Sequence, residues 1–250
     1  MIDLHCHILP AIDDGAADMA EALALLRLAQ QQGISHMVAT PHVQSGYYDN
    51  SVTVITEALQ GLRQAAAEAG IDIQLAAAAE LRVEPQLIPL AERKALPLLG
   101  HYQNDMLLLL EFPHSHIPPG SDKLIKYLAR LGYRIMVAHP ERNRELQQEP
   151  TKINQLKRLD CLFQLTAASV LGVMGDKPMQ LARQYLNDGI FTVVATDCHS
   201  LKRRPPQLAQ AKEQIASWLS PELAQQLCVD TPAQISQSLF ASATGVRVAS

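Results

Sequence analysis

The feature that most constrains this chain is an alternation of short apolar runs with longer amphipathic segments, which continues from one end to the other. Runs of four to eight apolar residues predict buried strands, and apolar residues at helical spacing predict the helices between them. The segment Ala17–Gln32, for example, keeps its apolar residues on one face and is closed by Gly33. The seven predicted strands cover roughly residues 2–7, 36–40, 71–79, 106–110, 134–138, 162–167 and 191–196.

Strands that alternate with helices predict a parallel sheet, because each helix carries the chain back across a face of the sheet. The run Met106–Leu110 is almost wholly apolar, as a strand buried on both faces should be. Aromatic residues make up only 4% of the chain although 48% is hydrophobic, so small aliphatic side chains must fill the core. A length of 250 residues without internal repeats or linkers then predicts one α/β barrel domain over residues 1–250.

Composition also bears on partners and compartment. The net charge of −4 gives no reason to expect binding to nucleic acid or to an anionic membrane. Asp3 and His5 interrupt the N-terminal apolar run, and no run approaches eighteen residues. The four cysteines show no paired spacing. We therefore expect a reduced, cytoplasmic protein with neither a signal peptide nor a transmembrane segment.

Six of the seven predicted strands end on a residue that can bind a metal ion. The first strand carries two such residues, His5 and His7, whose imidazoles face the same side of an extended chain. All strands of a closed parallel barrel point the same way, so their last residues meet at one rim. Any single member fits an ordinary polar strand end, but the series favours a metal site. Its members are His5, His7, His42, Glu80, Glu111, His139, Asp197 and His199.

Asp14, from the loop after the first strand, raises the set to nine candidates: five imidazoles and four carboxylates. A catalytic ion uses three or four protein ligands, so nine ligands with one shared carboxylate suit three ions. Histidine and carboxylate ligands without a thiolate favour Mn, Fe or Zn. The charges of three divalent ions exceed those of four carboxylates and one bridging hydroxide, which leaves a pocket suited to an anion. The remaining histidines, expected to be solvated or locally hydrogen-bonded, are His36, His101, His114 and His116.

The motifs that carry these residues run through essentially the whole chain. They are His5-Cys6-His7, Asp13-Asp14-Gly15, Thr40-Pro41-His42, Ala79-Glu80, Leu110-Glu111-Phe112, Ala138-His139-Pro140-Glu141-Arg142 and Thr196-Asp197-Cys198-His199. In this order they resemble the polymerase and histidinol phosphatase (PHP) family. More narrowly, they look like the bacterial manganese-dependent protein tyrosine phosphatases of capsule and exopolysaccharide operons. The Asp-Asp-Gly loop and Arg204-Pro205-Pro206 point to this branch.

The resemblance implies a distorted seven-stranded, TIM-like (β/α)7 barrel with a centre of three divalent ions, usually manganese. It implies that a metal-bridged hydroxide attacks phosphotyrosine on bacterial proteins such as tyrosine autokinases of capsule synthesis. Asp13 stays open as an alternative to Asp14. The resemblance assigns His5, His7, Glu80 and Asp197 to one ion, Glu80, Glu111 and His139 to a second, and Asp14, His42 and His199 to a third.

The resemblance also implies two phosphate-binding arginines, Arg142 and Arg204, with Arg203 as the neighbouring alternative to the second. Both arginines should lie at the same rim of the barrel as the metal ligands, since each follows a strand-end ligand by a short interval. His7, His42 and His199 are the imidazoles that could assist catalysis, with His42 and His199 as the candidates, although the sequence singles out no general acid.

Readings from other classes remain open at this point. Cys198 and Arg204 have the Cys-x5-Arg spacing of cysteine-based tyrosine phosphatases, but no glycine lies between them, and Asp197 would disfavour the thiolate. The same metals would suit a small-molecule phosphatase, such as a histidinol phosphatase, or a phosphodiesterase. A metal-stabilised binding module is the non-enzymatic alternative, although structural metal sites are usually closed.

Overall fold

The computed structural model describes residues 1–249, and its elements follow the predicted alternation. The strands there are β1 Ile2–Cys6, β2 His36–Ala39, β3 His42–Val43, β4 Gln74–Ala77, β5 Glu80–Arg82, β6 Gly100–Tyr102, β7 Asp105–Glu111, β8 Tyr133–Ala138, β9 Leu162–Thr166 and β10 Val193–Ala195. The α-helices are α1 Met19–Gln31, α2 Val52–Glu68, α3 Leu87–Glu92, α4 Ser121–Arg130, α5 Arg144–Gln148, α6 Ile153–Lys157, α7 Ala167–Val170, α8 Asp176–Asn187, α9 Leu208–Trp218, α10 Pro221–Gln225 and α11 Thr231–Phe240. Short 3-10 turns cover Pro140–Arg142 and Pro150–Lys152, and a π turn covers Gln226–Asp230.

The long helices begin where the sequence supplies a side chain that caps them. Asp18 accepts a hydrogen bond from the Glu21 N–H at the start of α1, and Ser51 does the same for Val54 at the start of α2. Helix α1 lies within two residues of its predicted bounds. No helix within residues 1–249 is both long enough and apolar enough to cross a bilayer.

The strands divide between two sheets. The smaller sheet has the order β1-β2-β4, and the larger has the order β10-β9-β8-β7-β5-β3 with β6 added beside β7. All pairs are parallel except β6 with β7, which confirms the predicted parallel α/β architecture. Beyond these sheets, the His7 N–H donates to the Cys198 carbonyl at 2.8 Å, which ties β1 to the segment after β10. Closure of one continuous seven-stranded ring is not confirmed.

Two of the predicted strands are each followed, after a two-residue break, by a further short strand, which corrects the sequence prediction at two candidate ligands. Thr40 and Pro41 separate β2 from β3, where a proline cannot donate the hydrogen bond that a strand interior needs. A second two-residue break, formed by Ala78 and Ala79, separates β4 from β5. As a result, residues 42 and 80 begin short strands instead of ending long ones, and they are direct partners in the β3–β5 register.

Strand β6 was not predicted. It forms a hairpin with β7 through Gln103 and Asn104, whose φ angles of 52° and 76° are left-handed. Two consecutive left-handed residues match the turn that favours a two-residue hairpin, and asparagine tolerates this conformation.

Alternate residues of β7 pack into different parts of the core. Leu108 and Leu110 belong to the large cluster under the helices, whereas Leu107 and Leu109 join a second cluster of strand residues closed by α11. A strand buried on both faces is what its continuous apolar run predicted. The packing of α11 against β6 and the strands is therefore part of what supports the sheet that carries the site.

This contact generates a stability prediction. Gly100 in β6 has φ +138°, and a Cβ there would lie 2.0 Å from the Ile235 carbonyl oxygen of α11. We expect Gly100→Ala to cost about 1–3 kcal/mol through overpacking, or roughly 2–4 °C of Tm for each kcal/mol. Thermal unfolding followed by circular dichroism measures the change.

Gly61→Ala is the matched control, because the nearest atom to its new Cβ would be 4.0 Å away. Alanine is the better residue in a helix interior, so this variant should keep or raise Tm. A Gly100→Ala protein as stable as Gly61→Ala would contradict the packing argument.

Candidate metal centre

The structure brings all nine predicted ligand side chains together, most of them at or just after the carboxyl ends of strands and two of them, His42 and Glu80, at the start of a short strand. Seven of them are buried, while His42 is half-buried and Asp14 is exposed. They fall into overlapping groups whose ligand atoms lie within 4.8 Å of one another. These groups are His7, Asp14, His42 and His199; His5, His7 and Glu80; His5, His139 and Asp197; His42, Glu80 and Glu111; and Glu111, His114 and His139.

The Glu80 carboxylate lies at the middle of this arrangement. Its Oε2 is 3.3 Å from His5 Nε2, 3.3 Å from His7 Nε2 and 3.1 Å from His42 Nδ1. None of these contacts has hydrogen-bond geometry, so this buried oxygen has no hydrogen-bond partner. Burying an unpaired carboxylate oxygen is costly. A cation shared by the oxygen and the imidazole nitrogens would satisfy all of them, so the residues present fit a bound metal.

Three of the imidazoles have one ring nitrogen held by an oxygen, which aims the other nitrogen into the site. This is the arrangement that orients metal-binding histidines, because the outer contact fixes the tautomer. The inward Nε2 of His199 is buried without a partner, as Glu80 Oε2 is. The outer contacts are His5 Nδ1 with Gln164 Oε1 at 2.9 Å, His7 Nδ1 with Asp13 Oδ2 at 2.7 Å, and His199 Nδ1 with the Asp197 carbonyl at 2.9 Å.

The two adjacent aspartates of the Asp-Asp-Gly loop have different surroundings. Asp13 is occupied by protein donors, since its Oδ2 contacts His7 Nδ1 and accepts from the His42 N–H at 3.1 Å. Asp14 Oδ1 instead lies 3.4 Å from Nε2 of both His42 and His199. Asp14 thus presents its carboxylate to two imidazoles, whereas Asp13 orients a third.

The glycine of this loop is needed for a close approach of two backbone segments. A Cβ on Gly15 would lie 2.1 Å from the carbonyl oxygen of His7. That oxygen also accepts from the Ala16 N–H at 3.0 Å, so the loop folds back onto the strand that carries the ligand. Only glycine fits this position without displacing the His7 backbone.

Two candidate ligands have an unfavourable backbone conformation. His139 and Asp197 follow β8 and β10 with left-handed φ angles of 32° and 52°. Such angles cost free energy for residues with a Cβ and persist where the surroundings hold them. Here the His139 N–H donates to Gln164 Oε1 at 3.3 Å, and the Asp197 N–H donates to the His5 carbonyl at 2.7 Å.

Both predicted arginines reach the centre. Arg142 Nη1 donates to Asp197 Oδ2, and Arg204 Nη1 donates to the same oxygen at 3.0 Å. Arg204 Nη2 also lies 3.9 Å from Asp14 Oδ2. Their side chains are 13% and 23% exposed, so part of each side chain remains accessible. The adjacent Arg203 is exposed at the surface.

The protonation states of Glu80 and His139 suit cation binding. Burial raises the pKa of Glu80, but the neighbouring His5, His139 and His42 outweigh this and hold the pKa well below its usual range. Burial followed by the charge of Arg142 lowers the pKa of His139 to about 3, so its ring is neutral near pH 7. Ionised carboxylates and neutral imidazoles are the forms that bind metal ions.

Some residues of the site were missed or misread in the sequence. His114 is exposed and lies 3.4 Å from Arg142, as expected of a solvated or locally hydrogen-bonded histidine, and it also groups with Glu111 and His139, which the sequence did not predict. Arg82 was overlooked, and its Nη1 donates to Glu111 Oε2 at 2.6 Å. Gln164 was overlooked too, although a polar amide inside the apolar run that forms β9 marked it as unusual without showing its role.

The comparisons with known proteins agree with this site. Residues 1–237 match the family described as capsular polysaccharide synthesis, CpsB/CapC. The chain is 34% identical over 205 residues to tyrosine-protein phosphatase YwqE of Bacillus subtilis, covering 82% of this chain and 79% of YwqE. It is 30% identical over 244 residues to tyrosine-protein phosphatase CpsB of Streptococcus pneumoniae, covering 94% of this chain and 98% of that protein.

A solved structure shares the architecture of most of the chain. It comes from work on YwqE from Bacillus subtilis and CpsB from Streptococcus pneumoniae, described as metal-dependent tyrosine phosphatases, and has a TM-score of 0.84, 31% identity and 91% coverage of both chains. The lactonase Lmo2620 from Listeria monocytogenes is alike in fold alone, with a TM-score of 0.52 and 16% identity over 94% of this chain and 93% of that one. The resemblance that the motifs predicted is confirmed: the chain belongs to the CpsB/CapC family of capsular polysaccharide synthesis.

Proposed function

We propose that this protein is a metal-dependent protein tyrosine phosphatase. The observation that carries the proposal is the buried Glu80 carboxylate among three imidazoles, with two arginines at the edge of the same site. The relatives named tyrosine-protein phosphatase support it. Its substrate would be phosphotyrosine on a cytoplasmic protein, for which a tyrosine autokinase of capsule synthesis is our candidate.

The donor set fits three divalent ions, which we propose to be manganese, with iron or zinc compatible with the same ligands. Glu80 belongs to two of the groups described above and would bridge two ions. When bound, such ions supply Lewis acids for the phosphoryl oxygens and a water of lowered pKa as the nucleophile. The ligands would be His5, His7, Glu80 and Asp197 for one ion, Glu80, Glu111 and His139 for another, and Asp14, His42 and His199 for the third.

The side chains of this protein would then bind and orient the substrate. Arg142 and Arg204 present planar forks that match phosphoryl oxygens, and Asp197 holds both in place. Of the five imidazoles, His42 is the most exposed at 18%, so with His199 it is our candidate for contact with the substrate. The leaving phenolate has a pKa of about 10 and needs less protonation than an alkoxide would.

The first prediction tests the reaction itself. The protein should hydrolyse phosphotyrosine peptides faster than histidinol phosphate or a phosphodiester, and a chelator should abolish the activity until Mn is added back. Steady-state kinetics with Mn, Zn, Mg or chelator measure this. Preference for histidinol phosphate or the diester would support the alternative substrates.

Cys198→Ser is the control for a cysteine mechanism. Cys198 is fully buried, so its thiol is not presented to a substrate. The variant should keep most of the activity, because the nucleophile is not a thiolate. A folded, metal-loaded Cys198→Ser protein without activity would contradict the metal mechanism.

The second prediction concerns Glu80. Glu80→Gln keeps the side-chain size but removes the charge, so it should lose more than one equivalent of metal and at least about 100-fold in activity. Elemental analysis of the purified protein measures the metal. Glu84→Gln, four residues further along the chain and outside the ligand groups, is the matched control and should keep both. Full metal content in Glu80→Gln would exclude a bridging role.

The third prediction concerns the arginines. A lost charged hydrogen bond costs about 1.5–3 kcal/mol, so Arg142→Ala and Arg204→Ala should each lose roughly 10- to 150-fold in kcat/KM. Arg203→Ala should change little because that side chain is exposed. Kinetics on a phosphotyrosine peptide, with metal content measured alongside, test this. Equal rates for all three variants would show that neither arginine binds phosphate.

A further inference from the structure

A second concave feature opens directly beside the metal centre. It is a cavity of about 410 Å³ between the turn that follows β8 and the start of α8. Its charged lining consists of Arg142, Arg144, Lys177 and Asp176. We call it the basic cavity, since three cationic side chains face one carboxylate.

The basic cavity is continuous with the proposed phosphate site because they share a residue. Arg142 contacts Asp197 with Nη1, and its Nη2 lies 3.4 Å from Nε2 of His114, which also lines the cavity. The Arg144 N–H donates to the His114 carbonyl at 2.7 Å, which fixes the turn that forms this wall. A group bound in the cavity would therefore lie next to a phosphoryl group held by Arg142.

Two of the three cationic side chains of the cavity have no ion-pair partner in the described part of the protein. Among residues 1–249, neither Arg144 nor Lys177 has a carboxylate within ion-pair distance of its side chain, and both are exposed. The first turn of α8 also favours an anion in the cavity, since no side chain caps its N–H groups. Free backbone donors at a helix start favour an anion. These features indicate that the cavity is suited to a negatively charged group from outside the chain.

We infer that the basic cavity is a subsite for an acidic side chain, Asp or Glu, that lies near the phosphotyrosine in the substrate. The inference rests on the proposed phosphatase function and narrows its substrate class to phosphotyrosines in acidic sequence. Such a carboxylate would contact Arg144 and Lys177 while Arg142 binds the phosphate. Arg144 and Lys177 would then determine specificity without taking part in the reaction.

The test compares two phosphotyrosine peptides that differ only in flanking Glu or Gln, using the Mn-loaded full-length protein. The wild type should have a kcat/KM about 3- to 10-fold higher for the Glu peptide, since exposed ion pairs each contribute only a few-fold. Higher salt should reduce the preference. The double variant Arg144→Ala/Lys177→Ala should lose it while hydrolysing p-nitrophenyl phosphate, which has no flanking residues, at the wild-type rate.

The matched control is Arg130→Ala/Lys157→Ala, which removes the same charge from the exposed ends of α4 and α6. These helix ends precede β8 and β9, so they lie at the amino ends of the strands, whereas the site lies at the carboxyl ends. The control should keep the preference for Glu. Loss of the preference in the control would overturn the inference, because net charge rather than the cavity would be responsible.

Two further results separate this inference from the proposed function. Equal rates on the Glu and Gln peptides would overturn the acidic subsite and leave the phosphatase function standing. Failure to hydrolyse either peptide with Mn present would overturn the phosphatase function and the subsite together.

Discussion

The interaction on which the rest of this structure depends is the burial of three carboxylates, Glu80, Glu111 and Asp197, in one small volume. Burial and the nearby charge of Glu80 raise the pKa of Glu111, as expected when like charges share a site. Imidazoles and arginines supply part of the compensation. They do not supply all of it, since Glu80 Oε2 has no hydrogen-bond donor. The cations proposed above would supply the rest, and their binding would explain why so many polar groups are gathered where a barrel-like fold would otherwise bury apolar ones.

The fold accommodates this cluster by departing from regular backbone structure around it. Residues 42 and 80 begin short strands after breaks, His139 and Asp197 have left-handed backbones, and Gly15 permits the loop to touch the first strand. Away from the site, helices α1 and α2 keep ordinary side-chain caps, and strand β7 is buried on both faces as its apolar run predicted. Backbone departures from regular strand and loop geometry that cluster at one site are a mark of function, because the local sequence and the fold otherwise agree.

The contrast between regular structure in the fold and irregular structure at the site explains what could be predicted from the sequence. The nine ligand candidates were found because parallel strands bring their carboxyl ends together, so a pattern at strand ends becomes a cluster in space. The role of Gln164 could not be found this way, since its contact with His5 joins residues 159 positions apart. The difference between Asp13 and Asp14 likewise depends on which imidazole each one faces. Strand β6 was missed because its hairpin depends on two left-handed residues, of which only Asn104 gives a local signal.

Arg142 connects the two parts of the site, and the chemistry of its side chain explains how one residue does so. A guanidinium is planar and carries donors on separate nitrogens, so it can meet partners in two directions at once. Here Nη1 meets Asp197 among the proposed metal ligands, and Nη2 faces His114 at the edge of the basic cavity. A lysine ammonium concentrates its charge at one point and could not hold both positions. The position of the proposed phosphate site relative to the cavity is thus set by one rigid guanidinium, which Asp197 holds through a hydrogen bond.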